Sequence, residues 1–182
     1  MTWAVIVAGK GGKRSRIARE VAGALAARGL SVAGLVQRTL EDEGGRKTLE
    51  ADRLRRPGTV RLASPVVGPD ASCSLAFEPS GFAEAGRWLA EDAPDADVLV
   101  LDGVGKLELS GSGHRAALQA ALGAGPLAIL AVRDDQLAYA LEALAIEDEP
   151  VAAFTDGDGT AALEAFVEGV AAAARRSPAR LT

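Results

Sequence analysis

Between Thr2 and Leu30 the chain passes from an apolar stretch, Trp3-Ala4-Val5-Ile6-Val7-Ala8, through the turn Gly9-Lys10-Gly11-Gly12-Lys13-Arg14-Ser15, into a segment with Ile17, Val21 and Leu25 at i, i+4 and i+8. A strand, a glycine-rich turn and a helix in this order form a phosphate cradle. Glycines allow consecutive backbone N–H groups to converge on one anion, and the following helix N-terminus adds roughly half a positive charge at the same place. The basic side chains of the turn add full charge.

The spacing departs from the standard phosphate loop, G-x-x-x-x-G-K-[ST]. Taking Gly12-Lys13 as the Gly-Lys pair keeps a lysine but puts Arg14 where a magnesium-binding hydroxyl belongs. Phasing from the helix stripe instead puts Arg14 in the lysine slot and Ser15 in the hydroxyl slot. The second registration is preferred, because core packing fixes helix phase while a loop tolerates a one-residue deletion. Lys13 then falls where the second glycine would be. The plainer alternative is a tight basic turn between strand and helix.

Downstream the pattern keeps alternating. Ser31 to Gln37 reads as a strand, Pro79 to Glu91 as an amphipathic helix, and Asp97 to Asp102 as a buried strand ending in a carboxylate. A helix capped by Ser112, a strand over Pro126 to Val132, a helix after Asp134, a short strand over Val151 to Phe154 and a helix from Thr160 follow. Alternation of this kind predicts a mostly parallel sheet covered on both faces, with ligands at the carboxyl ends of its strands. Gly9 to Ser15 and Asp102 to Glu108 both lie at such ends. Residues 38–77 break the pattern and read as an irregular insertion with hairpin character.

Composition narrows the chemistry. A net charge of −5 opposes a nucleic-acid surface, while the clusters Lys10 to Arg19 and Arg53 to Arg61 suit a nucleotide or other small oxyanion. One cysteine, Cys73, excludes an internal disulfide, and one histidine, His114, leaves little for zinc or haem. No stretch approaches a membrane span and the N-terminus lacks a signal pattern, so a cytoplasmic location is expected. Asp156-Gly-Asp158-Gly fails as a calcium loop, since its sixth and twelfth positions are Ala161 and Val167, and reads as a turn with a helix cap. Trp3 and Trp88 read as packing residues, Cys73 as a small packed residue, and His114 as solvated. Lys106 and Glu108 are expected to pair across a turn.

Asp102 follows four apolar residues, as a magnesium-holding aspartate of a phosphate-binding fold does; capping the next turn is the alternative. Asp102-Gly-Val-Gly-Lys-Leu-Glu108 is similar to the Asp-Glu-Ile-Gly-Lys-Met-Glu signature of the thermophile-type nucleoside-triphosphatases, P-loop proteins that hydrolyse NTPs to NDPs. Over roughly residues 3 to 144 the chain resembles a related family of unknown function found near molybdate-transport genes, through Gly34-Leu-Val-Gln-Arg38, Cys73-Ser-Leu75 and the Gly-Lys-Leu-Glu turn. The resemblance implies an α/β, three-layer, P-loop NTPase-like fold; at 182 residues one domain over 1–174 is expected, and residues 175–182 are expected to fray as a flexible tail. It implies ATP or another NTP bound with Mg2+, and a protein partner in molybdate handling.

Two departures matter. Gly103 stands where the triphosphatases carry the glutamate that polarises the attacking water, and Arg14 replaces lysine, a bulkier planar donor. Phosphate contacts are therefore expected from Gly9, Lys10, Gly11, Gly12, Lys13, Arg14 and Ser15, with Arg38 on the same edge or paired with Glu41 or Asp42. Ser15 and Asp102 are the expected metal ligands, and Glu108 is the one nearby carboxylate able to act as base. The expected activity is nucleotide binding with weak or conditional hydrolysis; the alternative is a non-hydrolytic accessory in molybdate handling.

Overall fold

The computed structural model describes residues 1–10, 13–66 and 75–176. Gly11, Gly12 and Cys73, together with most of the expected tail, lie outside the described residues. The elements are β1 (Trp3–Ala8), α1 (Arg14–Ala27), β2 (Val32–Glu41), β3 (Lys47–Arg53), β4 (Thr59–Pro65), β5 (Leu75–Phe77) and α2 (Pro79–Asp92). There follow β6 (Val98–Asp102), α3 (Lys106–Leu109), α4 (Arg115–Gly123), β7 (Leu127–Arg133), α5 (Leu137–Leu144), β8 (Ala153–Thr155) and α6 (Thr160–Arg176).

All eight strands join one sheet in the order β5-β4-β3-β2-β6-β7-β1-β8. The five from β2 to β8 in this order are parallel, as expected for apolar runs such as Val98-Leu-Val-Leu101 that are covered on both faces. One face carries α1 and α6, packing Ile17, Val21, Leu25, Phe166 and Val170 onto Ile6, Val100 and Ile129. The other carries α2, α4 and α5, packing Trp88, Leu89, Leu118 and Leu144 onto Val5, Leu99 and Leu130. This is the expected α/β architecture of a mostly parallel sheet between two helical layers.

The stretch expected as an irregular insertion is more regular than its sequence suggests. β2 runs on to Glu41 and turns through Asp42 to Arg46 into β3, and β3, β4 and β5 extend the same sheet antiparallel, with one bulge at Leu49/Glu50. Helix α6 likewise continues through Arg175 and Arg176, where fraying was expected. Asp156-Gly-Asp158 forms the expected turn: Asp158 Oδ2 accepts from the Thr155 N–H at 2.8 Å, a bond within the turn and not to α6.

The antiparallel extension is anchored to the helical layer by ion pairs centred on Arg53 and Asp92. Arg53 of β3 donates from Nε to Asp92 Oδ2 and from Nη2 to Asp92 Oδ1, both at 2.7 Å, with its guanidinium 5.7 Å from the Trp88 ring centroid. Both side chains are buried. Removing Asp92 leaves the buried Arg53 with Glu91 as its remaining partner at 2.9 Å, so Asp92→Ala is expected to cost about 2 kcal/mol in urea unfolding, with little dependence on salt.

Candidate functional site

The turn from β1 delivers the chain to α1 with Lys13 at its N-cap, and no side chain caps the helix. Its first turn, Arg14-Ser15-Arg16, contains no acidic residue. The positive end of a 14-residue helix is therefore not neutralised by its own sequence, the condition an anion site requires. Lys10 and Lys13 are exposed, Gly9 and Ser15 half-buried.

One strand separates the turn from Asp102. β7 lies between β1 and β6, with Ala8 opposite Arg133 and Asp102 opposite Ala131. The Asp102 side chain is fully buried; Oδ1 accepts from Arg14 Nε at 2.5 Å, and Oδ2 accepts from the Gln37 backbone N–H at 2.9 Å. The residues assigned by motif to the phosphate lysine and magnesium aspartate slots thus meet in an ion pair. Arg14 keeps a 20% exposed side chain and faces a cavity of 330 Å³ that it shares with Gln37, Gly103, Lys106, Glu108, Arg133 and Gln136. Asp102 is not among the lining residues; Arg14 covers it.

The cavity is lined by charged residues of both signs, Arg14, Lys106 and Arg133 with Glu108. Lys106 Nζ stands 5.2 Å from the Tyr139 ring centroid and Arg133 pairs with Asp135 at 2.5 Å, while the Gln136 side-chain oxygen accepts from the Lys106 N–H at 3.1 Å and fixes the α3 turn. Arg14, Lys106 and Arg133 thus border one opening, and their charged groups would suit a polyphosphate once Arg14 and Arg133 leave their carboxylate partners.

Residues 3–143 match a family described as Protein of unknown function (DUF2478). The chain belongs to the DUF2478 family. No curated protein matches it significantly. Among solved structures, the solution structure of a human cancer-related nucleoside triphosphatase is similar in fold, with a TM-score of 0.68 over 97% of this chain and 99% of that one at 15% identity. The DUF2478 match contains every residue that lines the cavity.

Not all expected site residues converge in this DUF2478 chain. Arg38 turns away along the hairpin: its guanidinium pairs with Glu50 on β3 at 2.7 Å, a cross-strand partner in place of Glu41 or Asp42, and it does not line the cavity. Glu108 is 2% exposed, and its two oxygens accept the N–H groups of Gly105 at 2.9 Å and His114 at 3.1 Å. The carboxylate expected as base thus lines the cavity but is engaged by the N–H groups at the heads of α3 and α4, and Lys106, expected as its partner, sits over Tyr139. Of the two expected metal donors, Asp102 has Oδ1 engaged by Arg14 and Oδ2 by the Gln37 N–H, and Ser15 is half-buried in the first turn of α1; neither lines the cavity. Two oxygen donors would suit a magnesium ion held mainly by ligand phosphates, whose charge it would neutralise, and by water.

Gln37, Arg133 and Gln136 went unrecognised in the sequence. Gln37 and Arg133 lie at or beyond the carboxyl ends of parallel pairing in β2 and β7, where ligand contacts concentrate. Reading the first polar residue after each apolar strand would have found Arg133 in the same way as Asp102.

His114 is buried rather than solvated, with its ring 4.7 Å from that of Phe82 and Nδ1 without a hydrogen-bond partner among the described residues. Burial pushes its pKa down to about 4. A depressed histidine pKa means protons favour the unfolded chain, so the contribution is intact above the ordinary 6.5 and lost as pH falls towards 4. Glu108 acts in the opposite sense: burial raises its pKa, and protonation favours the fold. Between pH 7 and pH 5 the wild type is expected to lose about 2 kcal/mol more than His114→Leu, read from urea midpoints. The carboxylates titrate in both proteins, so the difference isolates the ring.

Proposed function

We propose that this protein binds a nucleoside triphosphate or diphosphate with Mg2+ through the phosphates, and hydrolyses the triphosphate slowly. The observation that carries the reading is the convergence of the uncapped head of α1, Arg14, Lys106 and Arg133 on one cavity, with Arg14 holding the buried Asp102. Phosphate oxygens compete for Arg14, and once the guanidinium moves to them, the freed Asp102 carboxylate joins Ser15 as a metal donor. Arg133 and Lys106 neutralise charge at the outer phosphates. Turnover is slow because the position after Asp102 carries no carboxylate and Glu108 is committed to backbone N–H groups.

Calorimetric titration with ATP, GTP and ADP in magnesium tests this reading. Saturable binding of all three with none of adenosine is expected; silence with every nucleotide contradicts it. The second reading, a non-hydrolytic accessory in molybdate handling, is favoured by the direct closure of Arg14 on Asp102. It requires molybdate or a protein partner to bind where nucleotides do not.

A further inference from the structure

The residue after Asp102 has φ +87°, a left-handed conformation in which a side chain is strained, and a Cβ built there would lie 2.3 Å from Cδ, Nε2 and Oε1 of Gln37. The Gln37 amide thus fills the space over Gly103 that a glutamate at that position would need. Among the described residues the amide has no hydrogen-bond partner, although it lines the cavity beside Arg14. Its backbone is paired with Ala51 of β3 and donates its N–H to Asp102 Oδ2, which sets its place against that carboxylate. A polar side chain on a backbone so placed, without a partner among the described residues and lining the cavity with Arg14, has hydrogen-bonding capacity available for a ligand and its water.

We propose that the Gln37 side-chain amide orients the attacking water against the terminal phosphate, in the place of the glutamate that Gly103 excludes. The proposal rests on the phosphate-binding reading above. The amide oxygen accepts a hydrogen bond from the water while its NH2 group donates to a terminal phosphoryl oxygen. The water oxygen bonds to the γ-phosphorus, the bond from that phosphorus to the β–γ bridging oxygen breaks, and the electron pair leaves with the nucleoside diphosphate. A water proton passes to a phosphoryl oxygen, so the glutamine exchanges no proton and Glu108 is not required. Orientation without proton abstraction accounts for slow turnover.

Gln37→Leu keeps side-chain bulk without hydrogen bonding, and Gln37→Ala removes both; the full chain is assayed with ATP and magnesium under single-turnover conditions. Phosphate release is expected to fall about 100-fold in both variants. The dissociation constant for ADP is expected to stay within about threefold, a loss of rate without loss of binding that a structural role would not produce. Variants that bind ADP and release phosphate at the wild-type rate overturn the inference and leave the nucleotide-binding reading standing. So does a wild type that binds ATP with no release above the uncatalysed background. A wild type that binds no nucleotide overturns both.

Discussion

Arg14→Ala is expected to lose about 100-fold in affinity for ATP with magnesium, because it removes the guanidinium whose charge-assisted hydrogen bonds to phosphate are worth roughly 2–3 kcal/mol. Asp102→Asn is expected to move affinity the other way when magnesium is absent. In the wild type Arg14 is engaged by Asp102 at 2.5 Å, and a buried negative charge lies behind the cavity. Neutralising Asp102 frees the guanidinium and removes that repulsion, so ATP in EDTA should bind about tenfold more tightly than to the wild type. The same variant should lose the gain in affinity that magnesium brings. Opposite signs for two adjacent residues distinguish this account from general damage to the fold, which would weaken binding in both. Calorimetry of the two variants with and without magnesium provides the check.

Gly34→Ala is expected to cost about 4 kcal/mol or more, enough to unfold many chains of this size. Gly34 lies in β2 opposite Val100 of β6, with φ +123°, and an added Cβ would meet the Val100 carbonyl oxygen at 1.9 Å. The obstacle is backbone, so no rotamer change relieves it, and β2 would have to separate from β6. That separation would also pull the Gln37 N–H away from Asp102. The expected result is little folded protein, or a variant whose urea midpoint and magnesium dependence of ATP binding fall together. A stable variant with wild-type binding would contradict the close approach of these two strands.

The two-sided parallel sheet was legible because runs such as Val98 to Leu101 and Leu127 to Val132 carry no polar face. Residues 47–53 were less so: hairpin character was expected there, but Lys47-Thr-Leu-Glu-Ala-Asp-Arg53 has only Leu49 and Ala51 as apolar residues, and its strand is fixed by pairing with β2 and β4. At the site, Arg14 and Asp102 were recognisable because helix phase and a four-residue apolar run locate them without knowledge of the sheet. Gln37 was hidden because its place depends on which strand lies beside β6, and periodicity within one strand carries no information about its neighbour. Similarly, Glu108 read as a base and His114 as solvated, and their burial depends on tertiary packing, for His114 against the Phe82 ring, that no local pattern carries.

The claim that phosphate takes Arg14 from Asp102 is read most directly from the Arg14 Nε–H resonance in 15N-labelled protein, assigned by its absence in Arg14→Lys. Titration with ADP and magnesium is expected to move this resonance saturably, at the ligand concentrations that saturate the calorimetric signal. A resonance that stays in place while ADP binds would mean that the guanidinium remains on Asp102, and would contradict the proposed site.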